Sequence, residues 1–598
     1  MTPRHPVRRF ELWAPAAGDS VDLVVDGTGH AMRRDPDRPG WWLADTPADP
    51  GRSRYGFRLD GDPALLPDPR SRRQPEGPDG PSQLVDHDAF RWTAPVPAAT
   101  GPLTGGVLYE LHIGTFTPEG TFDAAADRLD HLVALGVDTV ELMPVCPFPG
   151  ERGWGYDGVS LWAVHEPYGG PEGLKRFVDT AHRLGLRVVL DVVHNHLGPS
   201  GNYLPRFGPY FTERHHTPWG SAVNLDAPGS DEVRAYLVGS ALAWLRDYRL
   251  DGLRLDAVHA LVDTRALHFL EELAAAVDEL AADSGRPLLL VGESDLNDPR
   301  LVTPRTDGGL GLAAQWSDDF HHCLHTALTG EAQGYYADFA ARPLRGLAKT
   351  LTRGWFHDGT WSSFRERTHG RLFDTGRIPG HRLLGYLQTH DQVGNRATGD
   401  RMSAALAPGP LAAGAALVLT APFTPMLFMG EEWGARTPWQ YFTDHQDPGL
   451  AQAVREGRRA EFAAHGWAPE DVPDPQARGT FLASKLDWAE PGREPHAALL
   501  DWYRTLLALR RAHPPLADPD LSRVRVGFDE QQRWLVLHRG RYRTVVNLAA
   551  EAREVPLGAA HVATLAAFGG APAPAGELLT LRPASAAVVL TAGPAGDG

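Results

Sequence analysis

Over the first 95 residues the apolar positions come in short β-rich runs, RRFELWAP, SVDLVVDG, GWWLAD and SRYGFRLDG, separated by Gly, Pro and Asp turns. Such runs predict a β-sandwich over 1–95. From about residue 107 short apolar runs alternate instead with segments of helical period. Eight runs predict strands: VLYELHI (107–113), VDTVELM (137–143), RVVLDVV (187–193), DGLRLDA (251–257), LLLVGE (288–293), LAAQWS (312–317), RLLGYLQ (382–388) and PMLFMG (425–430). Helical stretches lie between them, for example at 171–185 and 231–248. Successive β/α units of this kind predict a (β/α)8 TIM barrel over 107–515. The barrel is expected to have a linker before it at 96–106, long loops at 194–230 and 431–497, and a last helix at 496–513. A doubly wound sheet is the rival, but no GxGxxG follows the first strand. After 516 β patterning returns, in RVRVGF, RWLVLHRG, RTVVNL and SAAVVLTA, and predicts a C-terminal β-sheet domain over 516–598.

Length and charge narrow the picture. A chain of 598 residues exceeds one ordinary core, in keeping with several domains. A formal charge of −17 argues against nucleic acid or an anionic membrane as partner. Cys146 and Cys323 cannot form a disulfide framework, and the N-terminus has no apolar segment of signal-peptide length, so a cytoplasmic location is expected. Residues 411–430 are apolar enough to test as a membrane span, yet Pro422 and Pro425 divide them into a helix and a strand. Among the 17 tryptophans, Trp41 and Trp42 read either as stacking surfaces for a glucan or as core and domain junction.

Charges then appear where packing alone would not put them. In GLRLDAVHA (252–260) Arg254 and Asp256 lie two apart and share one face of a strand. The fifth strand ends in Glu293, the seventh runs into His390 and Asp391, and the third carries Asp191 with Asn195 and His196 after it. In (β/α)8 barrels the active site sits at these strand ends. Glycoside cleavage needs two carboxyl groups flanking the bond, and a third could polarise the sugar. Each charge alone also reads as a structural ion pair, Arg254 with Asp191 for instance. Their gathering at one end of four strands points to a site.

DVVHNH, GLRLDAVHA, VGES and THDQ resemble, in order, the four conserved regions of the α-amylase superfamily, and GWGYDG (153–158) is similar to its branching-enzyme-like members. The resemblance spans about 107–515. It implies that Asp256 is the nucleophile, Glu293 the general acid/base and Asp391 the transition-state carboxylate. It also implies that Tyr156, Asp191, His196, Arg254 and His390 line or brace the sugar. No cofactor or metal is expected. Many amylases have Lys-His three and four residues after the nucleophile, whereas this chain has His259 and Ala260, so leaving-group contacts cannot be borrowed.

ESDLNDPRL, QWSDDFHH, THDQVGNRATGDR and FMGEEWGA resemble the trehalose-releasing hydrolases of that superfamily. The resemblance implies cleavage of the α-1,4 bond next to the terminal trehalose of maltooligosyl trehalose, action on related α-glucans, and functional pairing with an enzyme that forms maltooligosyltrehalose. Branching enzymes, which are transferases, share the first chemical step and are the alternative; they usually read EES and SHDE where this chain reads GES and THDQ. Candidate contacts on the leaving-group side are His259, Asp295, Asn297, Asp318, Phe428 and Glu431.

Readings from other classes have less in their favour. His194 and His196 form an HxH that could bind zinc, but the fifth strand lacks the further histidine a metal cluster would want. HHCLH (321–325) reads as the start of a helix or part of a substrate loop. Some amylases bind calcium through an Asn at the position of Asn195, but no Asp-rich loop accompanies it here. A non-catalytic α-glucan-binding protein would commonly lose a carboxylate, and this chain keeps all three.

Overall fold

The computed structural model describes residues 5–95, 105–463, 468 and 470–593. Most of the expected linker, 96–104, lies outside the described residues. The central strands are β1 (Leu108–Leu111), β2 (Thr139–Leu142), β3 (Arg187–Val192), β4 (Gly252–Leu255), β5 (Leu289–Gly292), β6 (Ala314–Trp316), β7 (Leu383–Tyr386) and β8 (Thr424–Phe428). They pair in sequence order, and β8 pairs in parallel with β1, closing the barrel. The first seven fall inside the apolar runs expected to form them, and β8 begins one residue before its run, at Thr424.

Side chains alternate along each strand, so every second residue points inward. Leu108, Leu289, Val291, Trp316, Leu384, Tyr386 and Met426 form one apolar cluster within the barrel. On the first four strands Glu110, Glu141, Asp191 and Arg254 are buried instead. Glu110 faces Glu141 across β1 and β2, and Asp191 faces Arg254 across β3 and β4. The helix Gly170–Arg183 buries Leu174, Phe177, Val178 and Ala181 at the spacing of one helical face.

The long apolar stretch divides as its prolines predict. The helix Pro408–Thr420, with Pro408 in its first turn, is buried along 411–420, and β8 follows Pro422. Among the described residues no helix is long and apolar enough to cross a membrane.

Before the barrel lie two small sheets, Val7–Trp13 with Trp41–Pro47 and Arg33–Arg34, and Thr28–Ala31 with Val21–Val25, Arg54–Leu59 and Ser82–Gln83. Their seam with the barrel is polar. Trp41 Nε1 donates to Glu232 Oε1 at 2.9 Å on helix Ser230–Asp247, with the Arg38 and Arg70 guanidinium groups over its ring. Arg72 pairs with Asp247 at 2.9 Å and Arg73 with Glu166 at 2.5 Å. Trp42 is buried, its Nε1 donating to Ala14 O at 3.2 Å. Trp41 and Trp42 therefore serve core and junction, and neither ring is free to stack on a glucan. After the barrel, a five-stranded and a three-stranded antiparallel sheet follow, joined to it in part by Thr544 Oγ1 donating to Thr420 Oγ1 at 2.9 Å. HHCLH lies within the helix Asp318–Thr329.

Candidate active site

At the end of β4 the backbone turns sharply. Ala257 has φ 39° and ψ 53°, a left-handed conformation costly for a residue with a Cβ. The turn aims the Ala257 N–H at Glu293 Oε2, 2.8 Å away just beyond β5. The backbone just after Asp256 thereby holds the Glu293 carboxyl group directly.

Arg254, only 1% exposed, organises the carboxylates. Its Nη1 donates to Asp191 at 2.8 and 2.9 Å and to Asp256 Oδ1 at 2.8 Å, while Nη2 pairs with Glu293 Oε2 at 2.9 Å. The Trp316 ring covers the guanidinium at 4.4 Å, excluding water from one face. Burial pushes Asp256 and Glu293 above the usual carboxylate range, opposed in both by Arg254, and the Asp256 charge raises Glu293 further.

A second chain of contacts crosses the floor. Tyr156 O–H donates to Asp191 Oδ2 at 2.6 Å and meets His390 Nε2 at 2.9 Å, the two rings stacked at 5.2 Å. His390 Nδ1 lies 2.5 Å from Glu110 Oε1, and its backbone N–H donates to Glu110 Oε2 at 2.9 Å. Burial opposes a charge on His390, but the Glu110 carboxylate outweighs it and raises the imidazole to about 9. Asp391 follows at the start of a short helix capped by Thr389, and Asn395 Nδ2 donates to Asp391 Oδ1 at 2.6 Å. Burial raises Asp391 and His390 draws it back down.

These groups open into a cleft of about 1020 Å³ whose lining includes Tyr156, His196, Arg254, Asp256, Glu293, His390 and Asp391. His259 also lines it. Asp191 lies beneath, reaching the cleft through Arg254 and Tyr156. His194 is buried with neither ring nitrogen partnered, whereas His196 faces the cleft and its Nε2 donates to Tyr156 O, 3.0 Å away. The two histidines do not act together.

Residues expected on the leaving-group side divide. Asp295 pairs with Arg365 at 2.5 Å and lies 3.9 Å from His259, at the edge of the cleft. Asp318 accepts from Tyr386 O–H at 2.5 Å, and burial raises it to about 7. Three do not face the cleft. Asn297 is buried in a left-handed turn, donating to Asp319 Oδ2 at 2.8 Å and His357 O at 3.0 Å. Phe428 is enclosed between Arg401 and Trp439. Glu431 is buried against Tyr503 O–H at 3.0 Å. Each is committed to a protein partner and cannot reach a sugar without unfolding its surroundings.

Two features of the site have no counterpart in the sequence-based expectations. Trp219, 49% exposed on the hairpin formed by Phe211–Thr217 and Gly220–Val223, stacks flat on His196 at 4.6 Å and 6°. Glu110 is the other; an acidic residue at the end of the first strand was the available signal.

The alpha-amylase catalytic-domain model matches residues 81–210, and the model "Domain of unknown function (DUF3459)" matches 519–589. Closed barrel and family match, with the full-length relatives that follow, make the chain a glycoside hydrolase of the α-amylase family. It is 55% identical over 557 residues to the malto-oligosyltrehalose trehalohydrolase of Mycobacterium tuberculosis (strain ATCC 25618 / H37Rv), covering 92% of this chain and 94% of that one. It is also 55% identical over 587 residues to the malto-oligosyltrehalose trehalohydrolase of Arthrobacter ramosus, covering 98% and 100%. The chain belongs to the malto-oligosyltrehalose trehalohydrolase family. Among solved structures, the crystal structure of a putative alpha amylase from Salmonella typhimurium superposes with a TM-score of 0.89 at 39% identity, covering 98% of both chains.

Proposed function

We propose that this chain is a retaining hydrolase that cuts the α-1,4 bond next to the terminal trehalose of maltooligosyl trehalose and releases trehalose. The carrying observation is the nearly full-length identity to relatives of that name. The pairing of Asp256 and Glu293 on one guanidinium supports the chemistry.

In the first step Asp256 attacks the anomeric carbon of the glucose preceding the trehalose unit, while Glu293 protonates the departing glycosidic oxygen. Trehalose leaves and a glycosyl–Asp256 ester remains. Glu293, now ionised, takes a proton from water, whose oxygen opens the ester and restores the Asp256 carboxylate. Asp391 stabilises the positive charge that develops on the sugar. Retaining glycosidases hold their two carboxyl groups about 5–5.5 Å apart, and a shared arginine suits such close spacing. The raised affinity of Glu293 for its proton, to which burial and Asp256 contribute, suits a general acid. Arg254 offsets burial at Asp256 by charge and by a direct hydrogen bond, which favours the ionised nucleophile.

His196, Tyr156 and His390 line the sugar at the cleavage point, with Arg254 and Asp191 bracing them. His259 and Asp295, with Arg365, border the leaving-group side, and Trp219 supplies a flat surface at the rim. The free, buried Cys146 and Cys323 fit a cytoplasmic location. Functional pairing with an enzyme that forms maltooligosyl trehalose would supply the substrate.

The test offers the protein maltooligosyl trehalose and, separately, a plain maltooligosaccharide of equal length. Rapid trehalose release from the first with little cleavage of the second is the expected result. New α-1,6 branches in either product would replace this reading with a branching transferase.

A further inference from the structure

Below the proposed catalytic carboxylates, two acids lie side by side in the barrel. Glu110 on β1 and Glu141 on β2 are register partners, and each is 1% exposed. Their surroundings differ. Glu110 receives both the backbone N–H and the Nδ1 of His390, whereas neither carboxyl oxygen of Glu141 has a hydrogen-bond partner. Two adjacent buried carboxylates cannot both carry charge, and the charge belongs where the donors are. Burial and the Glu110 charge accordingly drive Glu141 far above the carboxylate range, so it is a neutral acid.

The hydrogen-bond directions along the floor follow by elimination. Asp191, which Arg254 holds at both oxygens, accepts from Tyr156. The single phenolic proton of Tyr156 is spent there, so at the 2.9 Å contact His390 Nε2 must donate. At its other nitrogen His390 faces a carboxylate, which can only accept, so Nδ1 donates as well. Both ring nitrogens carry protons.

We propose that Glu110 is a positioning residue that fixes His390 as a doubly protonated imidazolium, with its Nε2–H held on the Tyr156 hydroxyl at the cleft floor. This deepens the hydrolytic reading above and rests on it for the sugar-facing roles of His390 and Asp391. Glu110 touches no substrate; it acts through His390. The groups facing His390 from neighbouring elements are Glu110 and His112 around β1, Glu141 on β2, Tyr156 in the loop after β2, Asp191 on β3, Arg254 and Asp256 at β4, and Asp391 beside it. Arg254 repels the imidazolium and Asp391 attracts it, and of these three charges Glu110 is the one hydrogen-bonded to the ring. The imidazolium in turn is the largest influence keeping the buried Asp391 ionised. Without Glu110, burial would strip the proton from His390 and weaken Asp391 with it.

Full-length protein carrying isotope-labelled histidine tests this, with His390→Gln assigning the signal. At about pH 7.5 the His390 ring should be cationic in the wild type and in Glu110→Asp, and neutral in Glu110→Gln. With maltooligosyl trehalose, Glu110→Gln should lower kcat about tenfold or more near pH 7.5, a deficit that shrinks toward acid pH as His390 regains its proton. Glu110→Asp should keep the wild-type pH profile at reduced amplitude. A neutral His390 in the wild type, or a Glu110→Gln deficit of the same factor at every pH, overturns the proposal. The ring titration needs no turnover, so absence of trehalose release by the wild type would defeat the function proposed above while Glu110 is still judged.

Discussion

Arg254 holds Asp256 and Glu293 with different nitrogens of one guanidinium, Nη1 at 2.8 Å and Nη2 at 2.9 Å. One buried cation therefore sets the relative position and the proton affinity of both groups proposed to do the chemistry. A planar fork presents two diverging nitrogens in fixed geometry, which a lysine ammonium on its flexible stem does not.

Replacing Arg254 by Gln is expected to lower kcat by about two to three orders of magnitude, as loss of a preorganised charge does elsewhere. Arg254 lowers the proton affinity of both carboxyl groups, so its removal raises both. The nucleophile must be ionised and the acid protonated. The acidic and alkaline limbs of the pH–rate profile should thus both move to higher pH, which steady-state rates across the range will show. Arg254→Lys should restore little.

Asp256→Asn and Glu293→Gln should each abolish trehalose release, by roughly four orders of magnitude or more, with the thermal unfolding transition retained. Asp391→Asn should lose activity on the same scale. Substantial turnover by a folded amide variant would remove that residue from its proposed role.

Trp219→Ala should raise KM several-fold while changing kcat less, because the ring lies at the rim and stacks on His196. A stacking contact worth about 1 kcal/mol corresponds to roughly a fivefold effect. Rates measured over a series of substrate concentrations separate the two constants.

Burial raises Glu431 to about 8, far above the 4.5 of a free glutamate. Between those values the folded chain holds a proton that the unfolded chain has lost, so this group's contribution to stability is present at low pH and falls as pH rises from about 4.5 to about 8. The slope is at most about 1.4 kcal/mol per pH unit. Glu431→Gln removes the titration, so its unfolding midpoint in denaturant should fall less than that of the wild type between acid and mildly alkaline pH.

The barrel strands were legible because each is a short apolar run between turn or helix signals, and the charges interrupting those runs marked the site. Arg254 and Asp256 could be paired from period two alone. Other relationships depend on closure. Glu110 and His390 are 280 residues apart and meet because β7 lies one strand from β8, which pairs with β1. Nothing local in VLYELHI indicates that its glutamate holds a histidine. Asn297 misled for the opposite reason. A polar residue just after β5 reads as accessible, yet its left-handed turn carries the amide inward to Asp319. Position along the chain conveyed nearness to the site and gave no warning of direction. Trp219 had no periodic signal at all, since a two-stranded hairpin within a long loop follows neither helix nor barrel period.

The seam between the first domain and the barrel bears on how this enzyme can be shortened. Trp41 and Arg72 grip the helix Ser230–Asp247, which leads into β4, and Arg73 holds Glu166 just before the helix that leads into β3. Those strands bear Arg254 and Asp191. Cutting away the first 95 residues would take Trp41 from Glu232 and Arg73 from Glu166, and would leave Asp247 to Arg246 alone, along the outer wall behind both strands. A minimal catalyst cannot be trimmed at that boundary without loosening the wall, and a chimaera must exchange the leading domain and these two barrel helices as one cassette.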